Sequence, residues 1–179
     1  MLNVMNAVPV MSIPSTRTTP HILLTSFATL VTLLLDQVSK IQVLKTFQPG
    51  EVRPVIDGLF NLTLTFNRGA AFGLWSWLAP GVRELVLGIT VLIAMAVVVY
   101  FLTRPYYQNA LSQIALAGIL GGALGNIIDR VRLGAVVDFL DVYYGTYHWP
   151  AFNIADSAIC VGVGILILFP RQTTNSQGA

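Results

Sequence analysis

"FNIADSAICVGVGILILF", residues 152–169, decides how the rest of the chain is read. From Ile154 onward it is a nearly unbroken apolar run of the kind that crosses a membrane as a helix. Asp156 nevertheless sits in its first turn, and a carboxylate at the mouth of such a helix is costly to bury. Two questions follow: what surrounds this helix, and what is Asp156 paired with?

The surroundings are answered by composition. Of 179 residues, 55% are hydrophobic and only 10% charged, where a soluble domain carries about 25% charged residues. The mean hydropathy of +0.72 and several long apolar runs indicate an integral membrane protein. A net charge of +2 with no basic run gives no reason to expect nucleic acid as a partner. The one cysteine, Cys160, lies in the last apolar run and reads as a small core residue. His21 and His148 have no second histidine or cysteine at ligand spacing, so no metal or other cofactor is expected. Residues 1–20 are rich in Pro, Ser and Thr and lack a basic start. They read as a flexible tail and not as a secretory signal, and residues 171–179 read as a second tail.

A spanning helix needs about 20 mostly apolar residues, and four segments qualify: about 22–46, 84–103, 109–128 and 154–169. Together they make residues 21–170 one membrane-embedded domain with both termini on one side. Gly118, Gly121, Gly122 and Gly125 form two overlapping GxxxG spacings in the third helix, which read as close helix packing. Two cap segments, about 48–83 and 129–153, fall on the side away from the termini. In "LFNLTLTFN", Phe60, Leu62, Leu64 and Phe66 alternate with Asn61, Thr63, Thr65 and Asn67, a strand pattern. Gly69 and Gly73 then break the strand. Trp75, Trp77 and "YYGTYHWP" suit the membrane interface. The fold class is therefore an α-helical integral membrane protein of four transmembrane helices with a small, strand-containing cap on the side away from the termini. Lysine and arginine are more numerous on the cap side, while all eight acids also lie on or near it. Counted on lysine and arginine alone, the positive-inside rule would place the cap inside, net charge points the other way, and the sequence by itself leaves the orientation open.

At 1.5 Å per residue, Asp156 lies roughly 20 Å from the terminal-side end of its helix, toward the cap-side edge of the hydrocarbon. Asp36 lies at a similar depth, and Asp129 and Arg130 directly follow the third helix. Asp36 and Lys40, four apart with the acid first, fit a helical ion pair that serves either structure or substrate contact. Asp129 and Arg130 read as a structural pair. Asp138, between Val136, Val137, Phe139 and Leu140, has no neighbouring cation in sequence, so desolvation is expected to raise its proton affinity. A helix N-terminus favours negative charge at Asp156, while Asn153 fits the capping position better. Two carboxylates whose environments differ in this way form the pattern of an acid–base pair. Asp141, three residues from Asp138, is its rival on chemistry alone.

"LDQVSK" (35–40), "FNRGAAFG" (66–73), "GGALGNIIDR" (121–130), "VVDF" (136–139) and "FNIADSAI" (152–159) together resemble the bacterial lipoprotein signal peptidases, the signal peptidase II family. The resemblance runs in order across residues 22–170. It implies an aspartic endopeptidase of the bacterial inner membrane, with both termini cytoplasmic, the cap extracytoplasmic and an active site near the periplasmic face. It implies prolipoprotein substrates already carrying diacylglycerol on a cysteine, cleavage just before that cysteine, and inhibition by globomycin-like cyclic peptides. Carried over by motif, the catalytic residues are Asp138 and Asp156, in preference to Asp141. Asn67, Gly69, Asp36, Lys40, Asn126, Asp129, Arg130 and Asn153 fall on positions that support or line the site. Arg68 stands where other members vary, and the long polar N-terminal tail is less typical. A peptide is expected to lie extended on a cap strand edge. The competing readings are a proton-coupled carrier, whose charges would gather at the midplane, and a scaffold, which leaves Asp138 and Asp156 without a purpose.

Overall fold

In a computed structural model the described residues are 21–69, 77–79, 81–104, 107 and 109–169. The expected tails, Gly73 and Trp75 lie outside them. The order of elements is α1 (Ile22–Thr46), β1 (Val52–Ile56), β2 (Phe60–Asn67), α2 (Val82–Leu102), α3 (Ala110–Leu133), β3 (Val136–Tyr144), β4 (Tyr147–His148) and α4 (Ile154–Leu168). The first three helices are long and apolar enough to cross a membrane, and α4 is a shorter apolar helix of 15 residues. Large apolar side chains such as Leu23, Phe27 and Leu34 point outward, as they do when lipid is the solvent.

Helix α3 is the hub, packed against α1 and α4 with α2 along its edge. Small residues make this possible. A Cβ on Gly121 would lie 2.7 Å from the Thr29 carbonyl oxygen on α1, and one on Gly122 would lie 2.5 Å from the Ala155 carbonyl oxygen on α4. One GxxxG stripe, Gly121 and Gly125, therefore faces α1, and the other, Gly118 and Gly122, faces α4. Without a hydrophobic drive between helices in lipid, close backbone approach is what holds them. Cys160 is exposed on α4 and is not a core residue. The inner face of that helix is taken by Ala155 and Gly162.

Helix α3 runs on to Leu133, beyond the 128 expected from apolarity, so Asp129 and Arg130 belong to its last turns. The helix continues because Asp129 finds a cation inside the bundle. It stops at Gly134, whose φ of 69° suits the left-handed cap that glycine adopts without strain. The cap is an antiparallel sheet in the order β1-β2-β3-β4, of which only β2 was legible by alternation. Val43 and Phe47 at the end of α1 pack under it against Leu64, Val137 and Phe139.

The β2–β3 register explains how polar side chains are sorted. Leu62 faces Leu140, but Thr65 faces Asp138, so β2 advances three residues while β3 advances two. Asn61 and Asn67, an even number apart, would share a face in a regular strand, whereas Asp138 and Asp141 point opposite ways. The bulge reverses the alternation once, so Asn61 meets Asp141 and Asn67 meets Asp138. Bulges of this kind re-aim side chains. Strand β3 is occupied on both edges: β2 lies on one, and Phe152 bonds Phe139 and Leu140 on the other. The open edge is β1, which carries Pro54, a residue with no N–H to give. A strand edge for an extended peptide is therefore offered by β1 and not by β3 beside Asp138.

Candidate active site

The site forms where β3 ends its partnership with β2 and α4 begins. Phe152 is held to Leu140 by backbone hydrogen bonds in both directions, at 2.8 and 3.0 Å. This tether sets the first turn of α4 against β3 and brings Asp156 to Asp138 across eighteen positions of sequence. Asn153 then acts at the junction. Its Oδ1 accepts from the Asp156 backbone N–H at 2.9 Å, capping α4, and its Nδ2 donates to Asp138 Oδ1 at 2.7 Å. The expected cap is thus present, and the same side chain also holds the other acid.

Three asparagines have their amides oriented by partners that only donate. Asn153 Oδ1 faces a backbone N–H, Asn67 Oδ1 accepts from Gly69 N–H at 3.0 Å, and Asn126 Oδ1 accepts from Lys40 Nζ at 2.9 Å. The amide nitrogens must therefore point the other way. They reach Asp138 Oδ1, Asp138 Oδ2 (3.1 Å) and Asp156 Oδ1 (2.8 Å) respectively. Each acid is thus gripped by neutral donors. Asp156 Oδ2 accepts no hydrogen bond among the described residues, and Asp156 is the more open of the two. Asp138 is 2% exposed. Burial, and next the charge of Asp156, push its carboxyl up to about 7, against the opposing pull of hydrogen bonds from Asn67 and Asn153 and the charge of Lys40. That Asp156 acts on Asp138 in this way places the two carboxyls within electrostatic reach of each other.

Below this pair lies a second, fully buried cluster. Lys40 Nζ meets Asp36 Oδ2 at 2.9 Å, Asp129 Oδ2 at 2.8 Å and Asn126 Oδ1 at 2.9 Å. Its three protons are matched by three acceptors. Asp36 Oδ1 accepts from the Ala155 backbone N–H at 2.9 Å, and Asp129 Oδ2 from Val137 N–H at 3.1 Å. The cluster therefore clamps the first turn of α4 and the start of β3 from beneath. The expected Asp36–Lys40 pair is present. The pairing of Asp129 with Arg130 is not: consecutive helical residues point about 100° apart, and Asp129 takes Lys40. Arg130 instead donates to the Asn126 carbonyl at 3.2 Å and the Gly69 carbonyl at 3.1 Å, and its charge acts on Asp156, Asp138 and Asp129.

Every residue expected at the site is in this one network. Asp141 is outside it, held by Asn61 at 2.8 Å and by His148 Nδ1 at 2.8 Å. One participant was missed. Gln37 Nε2 donates to Asp36 Oδ2 and Asp129 Oδ1, both at 3.1 Å, and to the Gly125 carbonyl at 3.2 Å. A glutamine one position after Asp36, in an apolar helix, was the signal that could have found it.

Comparison with known proteins follows the same lines. A family model described as Signal peptidase (SPase) II matches residues 28–170. A lipoprotein signal peptidase from Geobacter sulfurreducens is 52% identical over 135 residues, covering 75% of this chain and 82% of the relative. One from Ralstonia nicotianae is 50% identical over 136 residues, covering 76% and 77%. A solved bacterial membrane enzyme superposes with a TM-score of 0.73 at 33% identity, covering 87% of this chain and 92% of its own. The chain belongs to the signal peptidase II family.

Proposed function

We propose that the chain is an intramembrane aspartic endopeptidase that removes the signal peptide from diacylglyceryl-modified prolipoproteins, cleaving just before the lipidated cysteine. The observation that carries this reading is the Asn153 junction. One side chain caps the helix of Asp156 and donates to Asp138, so two acids from distant segments share one rigid support. With its carboxyl near 7, Asp138 retains a proton at neutral pH and gives it to the scissile carbonyl oxygen. Asp156, held as an acceptor by Asn126, takes a proton from the attacking water. The hydroxide adds to the carbonyl carbon and a tetrahedral diol forms. Asp156 then passes its proton to the amide nitrogen, the C–N bond breaks, and Asp138 recovers its proton from the collapsing diol. The chemistry draws on these two carboxyls and water.

Depth supports the substrate class. The carboxyls lie at the cap end of the helices, where a peptide anchored by its own lipid presents the bond next to the anchor. Both termini then lie in the cytoplasm, the site faces the periplasm, and the membrane is the bacterial inner membrane. Globomycin-like cyclic peptides inhibit by occupying the same cleft. The test is cleavage of a diacylated prolipoprotein in detergent. Asp138→Asn and Asp156→Asn each lower the rate by about 10³-fold or more while leaving thermal unfolding cooperative, and mass analysis of the product finds the lipidated cysteine at its N-terminus. Full processing by either well-folded variant removes the dyad, and chelator leaves the wild-type rate unchanged.

A further inference from the structure

Between α2 and α3 lies a cavity of about 310 Å³ whose walls include Leu87, Val91 and Leu92 on one side and Ile127 and Val131 on the other. It exists because α2 is thinly attached. Leu87 and Val98 are the only residues of that helix that are buried, and a Cβ on Gly88 would meet nothing within 4 Å. Two spanning helices separated in this way open to hydrocarbon, so the natural occupant is an acyl chain.

The upper end of the cavity is not apolar. Arg68, Arg130 and Glu84 line it. Glu84 is already committed, to Arg83 at 2.9 Å and to the Gly81 backbone N–H. Among the described residues Arg68 makes no hydrogen bond or ion pair and the buried Nε of Arg130 has no hydrogen-bond partner. These residues sit at the cap end: Arg68 directly follows β2, Arg130 is in the last turn of α3, and Glu84 is in the first turn of α2. The apolar walls descend from there, Val91 lying about 10 Å below Glu84 along the helix. Two guanidinium groups at headgroup depth above an apolar slot match the chemistry of an anionic phospholipid, and basic pockets between spanning helices bind such headgroups.

We infer that the α2–α3 cavity is a binding site for one anionic phospholipid of the surrounding membrane, its phosphate at Arg68 and Arg130 and an acyl chain along Gly88. The ligand is distinct from the proposed substrate, whose diacylglyceryl group carries no phosphate. The first measurement is independent of activity. The full chain, reconstituted with either phosphatidylglycerol or phosphatidylcholine and returned to mild detergent, is weighed intact. The wild type is expected to keep one phosphatidylglycerol and to release phosphatidylcholine. Gly88→Leu, which fills open space on a helix, and Arg68→Gln, an exposed change, each weaken retention by about tenfold. Equal retention of both lipids overturns the anionic site, as does undiminished retention by both variants.

The substrate's own acyl chain is separated by kinetics in phospholipid-free detergent. With the cavity assigned to phospholipid, Gly88→Leu leaves KM for the diacylated substrate unchanged there. A raised KM in that variant, in the absence of phospholipid, reassigns the cavity to the substrate and overturns the proposal.

Discussion

Two groups of buried carboxyls lie one above the other in this molecule, and they are treated in opposite ways. Asp36 and Asp129 are bonded directly to the Lys40 ammonium, which spends all three protons on them and on Asn126. Asp138 and Asp156 receive amide donors from Asn67, Asn153 and Asn126 instead. Neutral donors leave the Asp138 carboxyl to burial and to the charge of Asp156, which raise it to about 7. The lower cluster serves as a foundation. In the proposed mechanism the upper pair handles the proton. Asn126 joins the two, accepting from Lys40 and donating to Asp156, so the foundation orients the site without neutralising it.

The contrast can be broken most severely from below. Lys40→Met leaves two buried acids without their cation and is expected to destabilise the protein by about 3–5 kcal/mol. It also removes the shorter of the two donors that orient the Asn126 amide, leaving Asn153 Nδ2 at 3.2 Å, so cleavage falls along with the unfolding temperature. A Lys40→Met protein that unfolds and cleaves like the wild type would show that the lower cluster is not a foundation.

The proton of the upper pair gives the second test. Asp138 is raised from an ordinary 3.8 to about 7, so the native state binds this proton more tightly than the unfolded chain does. Its contribution to stability is complete below about 4 and is lost as pH rises to about 7, a change of up to about 4 kcal/mol. Activity declines above about 7 as Asp138 ionises. Asp138→Asn is expected to flatten the stability profile across that window. Identical profiles in wild type and variant would put the proton elsewhere.

Geometry gives the third. Gly122→Ala places a methyl 2.5 Å from the Ala155 carbonyl oxygen and pushes the first turn of α4 away from α3, for about 1–3 kcal/mol. Asp156 moves with α4, so activity falls more than stability. Gly118→Ala, whose methyl sits at an ordinary contact distance of 3.6 Å from the Ala158 carbonyl oxygen, is the tolerant control. Equal effects of the two substitutions on cleavage would contradict this. The smallest effect is expected at Asp141. Asp141→Asn weakens the His148 contact in the cap for about 1 kcal/mol and leaves the cleavage rate within a few-fold, because this acid lies outside the network of the dyad. Abolished cleavage would return Asp141 to candidacy.

Much of the architecture was legible before any coordinates. The span of α1 is the one expected, since nothing interrupts its apolarity until the chain leaves the bilayer. The glycine spacings foretold close packing, and Asn153 foretold the cap of α4. The end of α3 was not legible, because apolarity stops near Ile128 while the helix continues to Leu133. What carries it on is the Asp129–Lys40 bond to another helix, an interaction that local sequence does not reveal. Strands β1 and β3 were missed for a related reason. Their side chains do not alternate in polarity, because β3 is largely buried on both faces and β1 is exposed throughout.

The sequence by itself determined that this is a membrane protein, which segments lie in lipid, and which motifs bear the acids. Those properties follow from transfer energies and helix rise, which act residue by residue. Only the tertiary structure decided which acid meets a cation and which is held by neutral amides. Asp129 stands beside Arg130 in the chain yet bonds Lys40. Asp138 and Asp141 look alike in sequence, yet their odd spacing on β3 puts them on opposite faces, one held by Asn67 and Asn153 and the other by Asn61 and His148. Proton affinity depends on burial and on the charges within a few ångströms, and those neighbours are assembled from four helices and a sheet.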